Sequence, residues 1–131
     1  MGKGTAILGV GLDLVEIDRI QSAIERHGEA FLKRVFTGGE LVTCRGNFGR
    51  LAARWAAKEA VAKAFGTGMG AAMNWNEIGV VSEPSGAPTV QLTGAAAETA
   101  QARGVRRILI TLTHTTATAG ASVILLGDAD G

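Results

Sequence analysis

Residues 50–65 read RLAARWAAKEAVAKAF, a run of 16 with seven Ala and neither Gly nor Pro. Ala has the highest helix propensity, and nothing here interrupts the i to i−4 hydrogen-bond ladder, so the run is read as a helix that Gly66 ends. An Ala-rich helix has a thin body. Other elements must come close to it, while the long charged side chains of Arg54, Lys58, Glu59 and Lys63 project beyond it.

The rest of the chain is arranged around that helix. Residues 6–12 (AILGVGL) form an apolar run too short for a helix and suited to a buried strand. From Asp18 onward Ile20, Ile24, Phe31, Leu32 and Val35 are spaced for one helix or for two short ones broken near Gly28, with Asp18 placed to cap the first. A third helix begins around Glu40, pauses between Gly46 and Gly49, and continues into the Ala-rich run. Residues 74–83 read as a strand, residues 84–88 (PSGAP) as a hairpin connection into a strand at 89–92, and residues 94–103 as an Ala-rich helix closed by Gly104. Strands follow at 107–113 and 120–126, before a polar tail at 128–131. Strands at both ends, helices between them and a late hairpin predict an α+β fold in a single domain over residues 1–131. With 47% hydrophobic residues, few aromatics and 19 Gly, the core is built of small side chains, and oligomerisation would help to bury it.

Charge and cysteine content narrow the class. The formal net charge is only +1, yet residues 19–63 hold nine Lys/Arg against four Glu, which favours an anionic partner over this half or else marks a solvated helical surface. Cys44 is the only cysteine, so an intrachain disulfide and a multi-cysteine metal site are excluded, and a cytoplasmic setting is expected. No secretory or transit segment is read at the start, and no apolar run is long enough to cross a bilayer.

Asp13 follows an apolar strand in GLDLVEI, where a buried carboxylate needs a cation or hydrogen-bond donors to offset its desolvation. Asp13 and Glu59, from distant parts of the chain, could converge on a hard cation such as Mg²⁺, with nearby lysines neutralising phosphate. Glu59 and Lys63 are also i,i+4 neighbours, which alone describes an ordinary surface pair. The glycine-rich GTGMG (66–70) lacks the GxxxxGK[ST] pattern of a phosphate loop and follows a helix, so it reads as a turn. His114 stands at a strand end, His27 at a helix terminus, and Cys44 has no basic neighbour fixed by spacing to activate it.

Three ordered segments carry a resemblance: GVGLDLVEIDRI (9–20), AARWAAKEAVAKAFGTG (52–68), and WNEIGV (75–80) with the Ser85-Gly86-Ala87-Pro88 turn and LTHTTATAGASVIL (112–125). In sequence, order and spacing the chain resembles the holo-acyl carrier protein synthases of the 4′-phosphopantetheinyl transferase superfamily from Ile7 to Leu126. The resemblance implies a small antiparallel sheet wrapped around the long helix, and a homotrimer with three active sites at subunit interfaces. It implies an enzyme that moves 4′-phosphopantetheine from coenzyme A to a serine of acyl carrier protein, in fatty acid biosynthesis. Carried over by position, Asp13 and Glu59 would hold Mg²⁺, and Asp13, Glu59 and Lys63 would be catalytic. Lys63 would contact the pyrophosphate of coenzyme A with Lys58 nearby, and Arg54, Gly86, Pro88 and His114 would line the 3′-phosphoadenosine site. Arg19 and Arg26 would face the acidic carrier protein, and neither nucleic acid nor a membrane is an expected partner. Either Glu59 or a metal-bound water oriented by Asp13 would accept the serine proton. A non-catalytic module that binds coenzyme A is the alternative. Two positions depart from the pattern: Trp55 where Phe is usual, and Thr118 where many members carry an aromatic.

Overall fold

The computed structural model describes residues 4–129, so Asp130 and Gly131 of the expected polar tail lie outside the described residues. In chain order it contains β1 (Thr5–Glu16), α1 (Ile17–His27), α2 (Glu29–Val35), α3 (Gly38–Cys44), α4 (Phe48–Phe65), a 3-10 turn (Trp75–Glu77), β2 (Ile78–Ser82), β3 (Pro88–Leu92), α5 (Gly94–Ala102), β4 (Val105–His114) and β5 (Thr118–Asp128). The architecture is the α+β one expected. One antiparallel sheet has the order β1-β5-β4, β2 and β3 form a second, and α4 lies against both.

Helix α4 is the core of the molecule. Leu51, Ala52, Ala53, Ala56, Ala57, Ala60, Val61, Ala62 and Phe65 are all buried, so the helix is covered on nearly every side. Only a body of Ala allows that without overpacking. Its partner strand is matched to it: a Cβ on Gly11 would overlap the Ala60 carbonyl oxygen, and one on Gly9 the Ala64 carbonyl oxygen. β1 therefore touches the helix backbone, an approach that only glycine permits. Asn47 caps the helix by accepting the Arg50 amide at 2.9 Å, and Gly66, at φ 74°, ends it in the left-handed region.

Several boundaries differ from the sequence reading, each for a local reason. β1 runs on to Glu16 because its ladder with β5 continues to the Glu16–Thr118 pair, which puts Asp13 inside the strand instead of at its end. Asp18 does not cap α1. It lies in the first turn, after Glu16 at the cap position, and the Ile17 amide is taken by the Ala117 carbonyl at 2.9 Å. α3 begins earlier than expected because Thr37 and Glu40 form a capping box, and Arg45 (φ 48°) and Gly46 (φ 71°) then separate it from α4. Residues 74–77 are not strand: the Glu77 carboxylate accepts from the Asn74 amide and side chain, folding the 3-10 turn, and from the Ala95 amide at the start of α5.

Candidate active site

Alternation along β1 sends Leu12 and Leu14 outward and turns Gly11, Asp13 and Val15 toward α4. Asp13 arrives there with its side chain only 11% exposed. The Lys63 ammonium donates to Asp13 Oδ1 at 2.7 Å and to the Leu12 carbonyl at 3.2 Å, while Asp13 Oδ2 is buried without a partner. Glu59 is one helical turn before Lys63 on the same face, half-buried. Burial raises the Glu59 carboxyl above its ordinary range, the Asp13 charge raises it further, and the cations of Lys63 and Arg19 partly offset both. The hydrogen bond to Asp13 in turn raises the proton affinity of Lys63. The arrangement is two carboxylates and an ammonium around one orphaned, buried acceptor atom. Among the described residues no cluster of three or more His, Cys, Asp or Glu forms, so a cation here would take two carboxylates from the protein and the rest of its shell from elsewhere.

A second group assembles beyond the other edge of the same sheet. Arg54, Gly86, Pro88 and His114 line one cavity of about 280 Å³, together with Arg50, Ala53, Ser82 and Leu112. Arg54 is 8% exposed. Its guanidinium donates to Ser82 Oγ at 3.5 Å and to the Arg50 carbonyl at 3.4 Å, and its Nε is buried without a partner. Gly86 makes the tight hairpin with φ 91°, and His114 sits over Gly49 in the first turn of α4. Two arginines and an imidazole suit an anion. Arg50 was missed as a lining residue, although its place one turn before Arg54 signals it.

Lys58 does not join either group, which corrects its expected place beside a pyrophosphate. Its ammonium is wholly buried, 2.7 Å from Glu40 Oε1, and donates to the carbonyls of Trp75 at 3.0 Å and Ile78 at 2.5 Å. Those acceptors use all three of its donors. Glu40 also accepts from the amides of Thr37 and Val80, both at 2.8 Å. The pair ties α3, α4 and β2 together. The Thr37-x-x-Glu40 capping pattern was the one sign of Glu40 in the sequence.

Arg19 and Arg26 are both exposed on α1, two turns apart and thus on one side of it. The Arg19 guanidinium lies 5.2 Å over the Trp55 ring, close enough for its charge to act on Glu59. Thr118 opens β5 and shapes the turn before it, its carbonyl accepting from the Thr115 amide at 2.7 Å.

Comparison with known proteins bears on this site. The sequence pattern of the 4′-phosphopantetheinyl transferase superfamily matches residues 9–118. A holo-[acyl-carrier-protein] synthase of Solibacter usitatus is 48% identical over 122 residues, covering 91% of this chain and 98% of that one. The holo-[acyl-carrier-protein] synthase of Neisseria meningitidis superposes with a TM-score of 0.85 at 32% identity, over 92% of this chain and 98% of that one. That of Helicobacter pylori, solved in complex with coenzyme A, superposes with a TM-score of 0.82 at 28% identity, over 88% and 98%.

Proposed function

The chain belongs to the 4′-phosphopantetheinyl transferase superfamily, and from that premise we propose how its residues carry out the transfer. The enzyme moves 4′-phosphopantetheine from coenzyme A to a serine of apo-acyl carrier protein, leaving adenosine 3′,5′-bisphosphate, in fatty acid biosynthesis. The observation that carries the assignment of roles is the buried, unpartnered Asp13 Oδ2 beside Glu59 and Lys63.

Asp13 and Glu59 hold Mg²⁺, which they fit in donor chemistry: hard carboxylate oxygens, one of them desolvated and unsatisfied. When bound, the ion supplies charge neutralisation for the diphosphate. Lys63, pinned by Asp13 and the Leu12 carbonyl, presents a fixed positive charge to the pyrophosphate, where negative charge grows as the leaving oxygen departs. The serine proton passes to Glu59 or to a water oriented by Asp13. Arg54, Gly86, Pro88 and His114, with Arg50, hold the 3′-phosphoadenosine in their cavity. Arg19 and Arg26 meet the acidic face of the carrier protein.

We read the assembly as a homotrimer with sites between subunits. Asp13 lies on outer strand β1, and Leu112 and His114 on outer strand β4, with β5 between them. Two strand spacings, about 10 Å, separate the two strands. Glu59 and Arg54 are about 140° apart around α4. The two halves of the site therefore face different edges of the sheet, and a neighbouring copy can complete each. The outer face of β1 presents Ile7, Val10, Leu12 and Leu14, each more than 60% exposed, an apolar stripe suited to such a contact. No described helix is long and apolar enough to cross a membrane, and Cys44 is a buried free thiol, which fits a cytoplasmic setting.

Incubation with apo-acyl carrier protein, coenzyme A and Mg²⁺ tests the reading by intact mass. The carrier gains one phosphopantetheine, chelation abolishes the gain and Mg²⁺ restores it. Several apo-carriers left unmodified, that of the same organism included, would overturn it.

A further inference from the structure

The chain has two tryptophans, and they touch each other: Trp55 of α4 and Trp75 of the 3-10 turn stack with ring centroids 5.4 Å apart and planes 27° from parallel. The exposed Arg19 guanidinium lies 5.2 Å over the Trp55 ring. Among the described residues no carboxylate forms an ion pair with Arg19, and no protein acceptor takes a hydrogen bond from it. A cation held by ring stacking is oriented without using its N–H donors, whereas one held by an ion pair has already used some of them. The stack itself is anchored from below. The Trp75 carbonyl accepts from the buried Lys58 ammonium at 3.0 Å, and both rings border the chain's cores.

We propose that Trp55 and Trp75 are positioning residues that hold the Arg19 guanidinium with its donors free, set to receive a carboxylate of the acyl carrier protein bidentately beside Glu59. The inference rests on the reading that Arg19 faces the carrier, and it adds what fixes that contact. Binding then costs less ordering at Arg19, since its side chain is held in place beforehand. The Trp55 ring is what holds the guanidinium. A lysine at the same position keeps the charge and loses the grip.

The test compares Arg19→Lys, Trp55→Leu and the double variant with the parent, in steady-state transfer assays and in titrations of tryptophan emission with apo-carrier protein. Arg19→Lys is a surface change and leaves the fold intact. It raises the KM for the carrier about tenfold, with the KM for coenzyme A and kcat moved less than about twofold. Trp55→Leu does the same, Trp55→Phe restores most of the affinity, and the double variant is no worse than either single one. Since both fluorophores lie in the stack, apo-carrier alters the emission of the parent without coenzyme A or Mg²⁺, and in Arg19→Lys the same response needs about tenfold more carrier. A carrier KM for Arg19→Lys equal to that of the parent overturns the proposal while leaving the transferase reading standing. Additive losses in the double variant, or an emission unmoved by bound carrier, overturn it too. Failure of the transferase reading shows separately, as a parent protein that adds no mass to the carrier.

Discussion

The Lys58 ammonium meets the Glu40 carboxylate at 2.7 Å with neither side chain exposed to solvent, one residue before the proposed metal ligand Glu59. Burial lowers the proton affinity of Lys58 while Glu40 pulls the other way, and the ammonium is further satisfied by the Trp75 and Ile78 carbonyls. Removing one partner strands a buried charge. Lys58→Met is expected to cost about 3–5 kcal/mol, and Lys58→Met with Glu40→Gln distinctly less than the sum of the two single changes. Urea unfolding of the single and double variants measures this; additive losses would show that the two charges do not act as a unit.

Glu59→Gln keeps shape and hydrogen-bonding capacity and removes the charge. Transfer is expected to fall about 10²- to 10⁴-fold. The fold should survive. Because burial and Asp13 raise the Glu59 carboxyl, its ionised form is a net burden on the folded state at neutral pH, so the variant is expected to melt at or above the parent temperature. Initial rates by intact mass and thermal melts by circular dichroism check both halves. An unchanged rate would reduce Glu59 to a surface partner of Lys63.

Val10 is 64% exposed on the outer face of β1, so a charge there costs the single chain little. On the trimer proposed above, Val10→Glu is expected to give single chains with unchanged secondary structure, and to lose transfer because neighbouring half-sites no longer meet. Light scattering on a sizing column, run beside the transfer assay, decides it. A monomeric variant with full activity would mean that one chain makes a complete site.

Glu77 couples acid to stability. Burial alone would raise its carboxyl, but hydrogen bonds from the amides of Ala95, Asn74 and Ala96 and from the Asn74 side chain outweigh that and hold it below its ordinary 4.5. A depressed carboxylate contributes stability that is present above the unfolded value and lost as the pH falls below about 4.5 through the folded value. The parent is therefore expected to weaken in that window, and Glu77→Gln to show a flatter acid limb. Removing the cap altogether with Glu77→Ala should cost about 0.5–2 kcal/mol at neutral pH. Melts from pH 6 to pH 3 read the difference; identical acid limbs would show that Glu77 ionisation plays no part.

The features legible before folding were local in origin or carried by ordered motifs. The Ala-rich run forms α4, alternation marks β4 and β5, Gly66 ends the helix, and the hairpin forms where Gly86 and Pro88 stand. The ordered motifs also fixed the family, and with it the reaction. The capping box of Thr37 and Glu40 was equally local, and reading it would have placed the start of α3. Where each charge points, by contrast, depended on the packed fold. Lys58 and Lys63 are both lysines of one helix, five residues apart, and nothing in spacing alone tells which is sealed against Glu40 and which reaches Asp13. The answer depends on strand β1, brought against the Ala60 and Ala64 carbonyls by Gly11 and Gly9, and on β2 covering another side of the same helix. Desolvation and pairing are properties of an environment that distant segments build. A sequence names the side chains; packing assigns each its surroundings.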